Sequence, residues 1–288
     1  RAIAKAKEEA GDHNFLVSCL TAKSEILINQ GAGKINSALE ILNELENSET
    51  SLPERARIYY FLGNCCFNIN KFKESLEYLE KSLKISKETG LTDLEPDIYN
   101  LLGNINILKG EFVLSNHYYE MTYNKTRGLF KKFVAQANLT VLHSRTGKFD
   151  KSREHLKKTK ELVKLFSTPI FELVVKLTDY TLFFETGDYE SAFNIAREIN
   201  ESALKLQSGN YIFLSYRFLG ECSYYMNKPG AAIEYYTLSG NYVDKSNIGD
   251  EMLLRMLVTI SQFEMKCTEQ IETGLLEIYS YNDSVNSN

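Results

Sequence analysis

By residue type, the chain could do chemistry at four histidines, five cysteines and one run of lysines and arginines. The histidines are His13, His117, His143 and His155. They show no His-x-x-x-His spacing and no cysteine partner, so a metal centre is not expected. Cys19, Cys65, Cys66, Cys222 and Cys267 are odd in number and contain no Cys-x-x-Cys. On a helix, adjacent Cys65 and Cys66 would point about 100° apart, which suits no disulfide. Reduced, packed thiols are the expectation, and they point to a cytoplasmic setting. Lys148–Lys164 holds seven Lys/Arg against three acids. It reads as a solvated helix face in preference to a patch for an acidic partner. No glycine-rich phosphate loop, nucleophile elbow or paired-carboxylate signature occurs. Neither catalysis nor a cofactor is expected, which leaves recognition by surfaces.

Composition narrows the partners. The 288 residues are 43% hydrophobic and 25% charged, ordinary for a soluble globular chain. No apolar run reaches the length of about 18 residues that a membrane span needs. Net charge is −5, and residues 179–288 hold 16 acids against 7 bases. An acidic C-terminal portion argues against a nucleic-acid groove along the whole length. The chain opens at Arg1 inside a helical pattern (Ala2, Ala6, Ala10), so residues 1–10 are expected to end a preceding repeat in a longer protein.

The elements that must position any binding residues come from a repeat. Six turns centred on Gly or Asn are each followed two places later by an apolar residue or proline and, three places after that, by a small one. They are Gly33-Lys34-Ile35…Ala38, Asn70-Lys71-Phe72…Ser75, Gly110-Glu111-Phe112…Ser115, Gly147-Lys148-Phe149…Ser152, Gly187-Asp188-Tyr189…Ala192 and Asn227-Lys228-Pro229…Ala232. Their spacings are 37, 40, 37, 40 and 40. Tyr59, Leu62, Gly63 and Cys66 precede the Asn70 turn, and Leu76, Leu79, Leu83 and Ile85 follow it. That is helical periodicity on both sides of a turn, hence two antiparallel amphipathic helices, A and B, per repeat. A fixed period in a helical sequence means a solenoid of hairpins. Gly63, Gly103 and Gly220 occupy one mid-helix slot, where Gly costs about 1 kcal/mol relative to Ala, so a close approach of helix B is expected there. Thr140 and Tyr180 fill that slot in the other copies and are expected to pack less tightly. Pro53, Pro96 and Pro169 each open a helix A, in a first turn that tolerates proline. One repeat domain over 1–288 is expected. It comprises six hairpins over 14–245, a degenerate capping hairpin over 250–280 and a frayed tail over 282–288.

These residues resemble the tetratricopeptide repeat. Tyr59, Leu62-Gly63, Phe72, Ser75, Leu79 and Ser82 match one copy of its pattern. Tyr99, Leu102-Gly103, Gly110, Phe112, Ser115 and Tyr119 match the next, and Tyr216, Leu219-Gly220, Ala232 and Tyr236 a third. The longer period is similar to that of kinesin light chains, of the sensor region of maltose-activator-type bacterial regulators and of Gram-positive quorum-peptide receptors. The resemblance implies an all-α fold, an α-α superhelix: a right-handed solenoid of about seven hairpins with a concave groove lined by the A helices. It implies a protein or peptide partner and no inherent enzyme activity.

Carried onto this chain, the family's groove positions fall on Tyr60, Asn64, Phe67, Asn100, Asn104, Asn138, Arg145, Arg217, Glu221 and Tyr224. An amide side chain both donates and accepts, so Asn64, Asn104 and Asn138 could pair with the backbone of an extended peptide whatever its sequence. The bland alternative is that they sit on a solvated helix face. The family's clamp for acidic C-termini is absent, because Tyr60 and Leu101 stand where it needs Lys and Asn. The expected function is therefore a non-enzymatic scaffold of a bacterial-type cytoplasmic protein, holding a peptide or partner segment, with no nucleic acid or membrane contact. The alternatives are a ligand-sensing domain of a multidomain signalling protein or transcription regulator, and an arm for homo-oligomerisation.

Overall fold

The computed structural model describes residues 13–29, 32–243 and 248–265. These residues form thirteen helices and no strand. The helices are α1 (His13–Asn29), α2 (Ala32–Glu46), α3 (Leu52–Asn68), α4 (Phe72–Thr89), α5 (Glu95–Leu108), α6 (Phe112–Lys125), α7 (Leu129–Arg145), α8 (Phe149–Val163), α9 (Pro169–Glu185), α10 (Tyr189–Lys205), α11 (Gly209–Tyr225), α12 (Pro229–Gly240) and α13 (Ile248–Glu264). Odd-numbered helices are the A helices and even-numbered ones the B helices. The expected terminal segments 1–10 and 282–288, and the second helix of the capping hairpin, lie outside the described residues.

The turns within the hairpins form because their central residue accepts a left-handed conformation. Asn70, Gly110, Gly147, Gly187 and Asn227 have φ of 61°, 76°, 70°, 80° and 60°. Glycine pays no Cβ penalty there, and Asn tolerates the region better than most residues. Each turn closes helix A by the same pair of bonds. The amide of Asn70 donates to Phe67 O at 3.0 Å and that of Lys71 to Cys66 O at 2.8 Å, and the pattern recurs at Gly110, Gly147, Gly187 and Asn227. This is a Schellman C-cap, which satisfies carbonyls that the helix end would otherwise strand. The expected turn at Gly33 differs: α2 already begins at Ala32, so Gly33 lies in its first turn. Packing phase survives the change, since Ala38 is buried as its counterparts Ser75, Ser115, Ser152, Ala192 and Ala232 are; Ile35 is buried more deeply than its counterparts. Prolines sit in the first turns of α3, α5 and α9, and Ser51 and Glu54 complete a capping box at α3.

The chain divides into two compact units at Leu142/His143. In the first, Val17, Ile35, Leu42, Ile58 and Leu62 form one buried cluster and Leu79, Ile98, Leu102 and Ile105 another. In the second, Leu173, Tyr180, Ala196, Ile199 and Leu219 pack together, as do Phe213, Tyr236 and Leu254.

Helices A and B cross closely at the glycine slot. A Cβ on Gly63 would lie 3.0 Å from Leu79 Cγ, and one on Gly103 or Gly220 would clash with the ring edge of Tyr119 or Tyr236. The B-helix residue at each crossing is sixteen positions further on. Where the A residue is Gly, its partner is large. At Tyr180 the volumes are exchanged, because the residue sixteen on is Ala196, fully buried in the same cluster. The tyrosine is only 3% exposed, and this hairpin packs less densely than the glycine-slot hairpins, as expected. Hydroxyls tie the crossings. Ser75 and Ser115 donate to the carbonyls of Gly63 and Gly103 at 2.7 and 2.9 Å. Ser82, Thr122 and Ser239 do the same to Ala56, Pro96 and Phe213 at 2.6, 3.3 and 2.8 Å.

Gly103→Ala should therefore lower the melting temperature, since overpacking of this kind costs about 1–3 kcal/mol. Gly33→Ala, in a helix with nothing within 4 Å of the added methyl, should leave it unchanged or raise it. Thermal melts of the two variants check this. A Gly103→Ala protein as stable as wild type would refute the close crossing.

Candidate binding site

In the first unit the A helices bond to one another side by side, which identifies the face they share. Ser18 of α1 donates to Glu54 of α3 at 3.2 Å. Lys131 of α7 reaches Asp97 of α5 at 2.7 Å and also the carbonyl of Asp93 at 3.0 Å. The amide of Asn138 donates to Asn100 Oδ1 at 2.8 Å. Asn64 and Asn104 each follow a slot glycine, in consecutive A helices, and both are half-buried. Asn64 Oδ1 accepts from Asn68 at 2.9 Å, and Asn104 Oδ1 accepts from the Tyr119 hydroxyl at 2.9 Å. Of the expected trio, Asn138 thus pairs with Asn100, whereas Asn64 and Asn104 each spend the carbonyl oxygen internally. Among the described residues their NH₂ groups find no acceptor. Tyr60 is half-buried on α3, and burial together with the charges of Asp97 and Glu25 pushes its hydroxyl well above the usual tyrosine range. Phe67 is turned toward the hairpin, its ring 6.0 Å from Phe72.

In the second unit, Arg145, Arg217, Glu221 and Tyr224 line one cavity of about 560 Å³. Its walls include Tyr180, Phe184, Phe218, Tyr225 and Tyr236, with Leu257 and Ile260 from α13. The aromatic groups hold each other in place. The Tyr180 and Phe218 rings stack at 4.0 Å, Tyr225 stacks on Tyr189 at 4.9 Å, and Phe184 meets Tyr225 edge-on at 5.3 Å. Tyr236 belongs to helix B yet reaches the cavity, because Gly220 leaves room for its ring to lie against α11. Tyr119 uses Gly103 in the same manner to bring its hydroxyl to Asn104. Sequence reasoning missed Tyr180, Phe184, Phe218, Tyr225 and Tyr236. Only Tyr236 carried a signal, a tyrosine sixteen residues after a slot glycine.

Charge inside this cavity is tightly arranged. The Tyr180 hydroxyl donates to Glu221 Oε2 at 3.0 Å. Arg217 Nε lies 3.5 Å from Glu221 Oε1, but the atom is buried and makes no hydrogen bond. The guanidinium sits over the Phe218 ring at 5.2 Å. Burial raises the proton affinity of Glu221 above the ordinary glutamate range, against the opposing pull of Arg217, Tyr180 and Arg145. The Tyr180 phenol is raised by burial and then by Glu221, so it remains a donor.

Most other candidates are structural, but Cys19 is an exposed free thiol, which corrects the expectation of packed thiols at that position. Cys65, Cys66 and Cys222 are buried free thiols, with burial pushing Cys65 and Cys222 up to about 12. Such thiols stay protonated and unreactive. Cys267 lies outside the described residues. His143 is buried and stacks on His155 at 5.1 Å. The basic run lies on α8, where Arg153–Asp150 and Lys158–Glu154 are exposed pairs, as a solvated face requires. Among the described residues no three His, Cys, Asp or Glu could hold a metal, and no helix is long and apolar enough to cross a membrane.

Because the folded protein holds a proton on Glu221 more tightly than the unfolded chain does, this group favours folding below the ordinary glutamate pKa. The benefit is lost as pH rises through the raised value. Glu221→Gln retains an acceptor for Tyr180 and removes the buried charge. It should melt above wild type at pH 8, with a smaller difference at pH 5. A lower melting temperature at pH 8 would mean that Arg217 outweighs the burial.

A family model for the tetratricopeptide repeat matches residues 56–89, which span α3 and α4. No curated protein matches the sequence. Among solved structures the chain is similar to a Rap protein complexed with competence and sporulation factor, at 14% identity over 92% of this chain and 75% of that one, TM-score 0.70. It is similar to NprR in complex with its cognate peptide NprX, at 15% identity over 100% and 88%, TM-score 0.69. It is also similar to aspartyl phosphate phosphatase F from Bacillus subtilis, at 13% identity over 94% and 75%, TM-score 0.58. At these identities the likeness concerns the fold. The matched repeat thus accounts for α3 and α4, and the chain as a whole shares the helical-hairpin fold of these solved structures.

Proposed function

We propose that the chain is a non-enzymatic scaffold that binds an extended peptide or a partner's segment on the face shared by its A helices. The observation that carries this reading is the placement of Asn64 and Asn104. Two half-buried amides stand at equivalent positions of consecutive helices, each with its oxygen fixed by a neighbour and its NH₂ unclaimed. Fixed donors at a repeat spacing suit backbone carbonyls, which every peptide presents. Tyr60 and Asn100 lie on the same two A helices, and Asn138, on the next A helix, pairs with Asn100, so these residues would extend that surface. Two of the similar structures are named as complexes with a peptide or factor, and a helical-hairpin scaffold is suited to such a role. No catalytic grouping enters the reading.

A second reading, a ligand-sensing domain that acts on an attached effector, draws support from the second unit. Its aromatic cavity has the volume of a small-molecule site, about 300–1,000 Å³. The two readings separate by ligand, since the first needs the amides of the first unit and the second does not.

The test starts from peptides selected on the wild-type protein from a random displayed library, with the tightest one titrated by calorimetry. Alanine at Asn104 would remove an acceptor of the Tyr119 hydroxyl, so the variant is Asn64→Ala with Asn104→Asp, which keeps that acceptor and removes both NH₂ groups. Each net hydrogen bond is worth about 0.5–1.5 kcal/mol, so affinity should fall about five- to a hundredfold, with the circular dichroism unchanged. Undiminished affinity would overturn the proposal.

A further inference from the structure

We propose that the cavity of the second unit is a subsite for a carboxylate borne on an apolar or aromatic group. Arg217 is the central observation. A guanidinium carries five donors in a planar fork that matches a carboxylate. Arg217 has Glu221 at 3.5 Å, the charge of Asp250 nearby and the Phe218 ring beneath it, yet its buried Nε has no acceptor among the described residues. An orphaned donor of this kind is costly unless a ligand completes it. Arg145 supplies a second guanidinium to the same cavity from an exposed position. Glu221 does not fill the need, because its Oε2 already takes the Tyr180 hydroxyl and its other oxygen stays at ion-pair distance.

The rest of the lining defines the body of the ligand. Phe184, Phe218, Tyr225, Leu257 and Ile260 offer apolar and aromatic surface around a volume that holds a ring-sized group. A ligand cation fits less well: Arg217 already occupies the face of Phe218, and two guanidiniums would repel it, while Glu185, Glu221 and the nearby Asp250 are engaged in balancing them. The same chemistry is found in a free aromatic or aliphatic acid and in the carboxylate of an apolar peptide end. This subsite shares with the proposed function only the premise that A-helix faces bind ligands. Its test uses no residue of the first unit.

The probes are 3-phenylpropionate, 3-phenylpropionamide and 3-phenylpropylamine, titrated into the full chain by NMR. N-acetyl-Ala-Ala-Phe, with a free or amidated end, forms a second arm. The acid should saturate, with the amide and the amine at least about tenfold weaker. Arg217→Gln should abolish acid binding. Should that variant fail to fold, Arg145→Gln decides, since it alters an exposed residue and should weaken the acid several-fold at an unchanged melting temperature. A free tripeptide that binds more tightly than its amidated form and than phenylpropionate assigns the subsite to a peptide end. A weaker tripeptide assigns it to a small acid. Equal binding of acid and amide, preference for the amine, full affinity in a folded arginine variant, or no binding of any probe would overturn the proposal.

Discussion

The close crossing of helix A with helix B is the constraint on which the rest of this structure depends. Two helices approach this closely only where one of them gives up its side-chain volume. Gly63, Gly103 and Gly220 do so on helix A, and Ala196 does so on helix B opposite Tyr180. The loss of helix propensity at a mid-helix glycine, about 1 kcal/mol, is offset by dense packing and by serine and threonine hydroxyls that reach the exposed carbonyls of the opposite helix. The left-handed turns then need only return the chain at a fixed angle, and their Gly and Asn residues do that without strain.

The same crossings bear on binding. Removing a side chain from helix A opens a path by which a helix-B tyrosine reaches the A-helix face. Tyr119 passes Gly103 and fixes the amide of Asn104, and Tyr236 passes Gly220 and becomes part of a cavity wall. Tyr180 acts in the opposite direction: standing on helix A against Ala196, it projects to Glu221 of the next A helix and stacks on Phe218. A packing device that keeps the hairpins together therefore also sets the polarity and shape of the surface they present.

Both units keep ionisable groups partly out of water, and they do so differently. In the first, Lys131 and Asp97 form a close pair at 2.7 Å, although burial still raises the proton affinity of Asp97 against the pull of Lys131. In the second, Glu221 and Arg217 are held apart at 3.5 Å among aromatic rings, and burial outweighs their attraction in setting the protonation of the acid. Satisfied pairs favour a stable surface, whereas an incompletely satisfied one is the better place for a ligand to gain affinity.

The helical class, the phase of the hairpins and most turn positions were legible in the sequence, because they follow from local rules. A left-handed turn demands Gly or Asn, a buried stripe demands apolar residues at helical spacing, and a close crossing demands a small residue. Gly33 shows the limit, since its residue type suited a turn but it lies inside a helix that begins at Ala32. Four of the candidate residues, Arg145, Arg217, Glu221 and Tyr224, were assigned by repeat position and do meet around one cavity. The first-unit candidates lie on neighbouring A helices, but their hydrogen bonds could not be read from position alone. Whether Asn138 bonds Asn100 or a ligand depends on which side chains adjacent helices bring within 3 Å, and residues about forty apart in sequence carry no local signal of that. The aromatic walls were hidden for the same reason. Tyr180, Phe184, Phe218 and Tyr225 look like ordinary core residues in a chain rich in Tyr and Phe, and only the stacking of one hairpin on the next turns them toward a common space. The sequence by itself determined the repeating secondary structure, because each repeat must satisfy its own backbone and bury its own stripe. The tertiary structure decided which polar groups remain without partners, because that depends on distances between repeats.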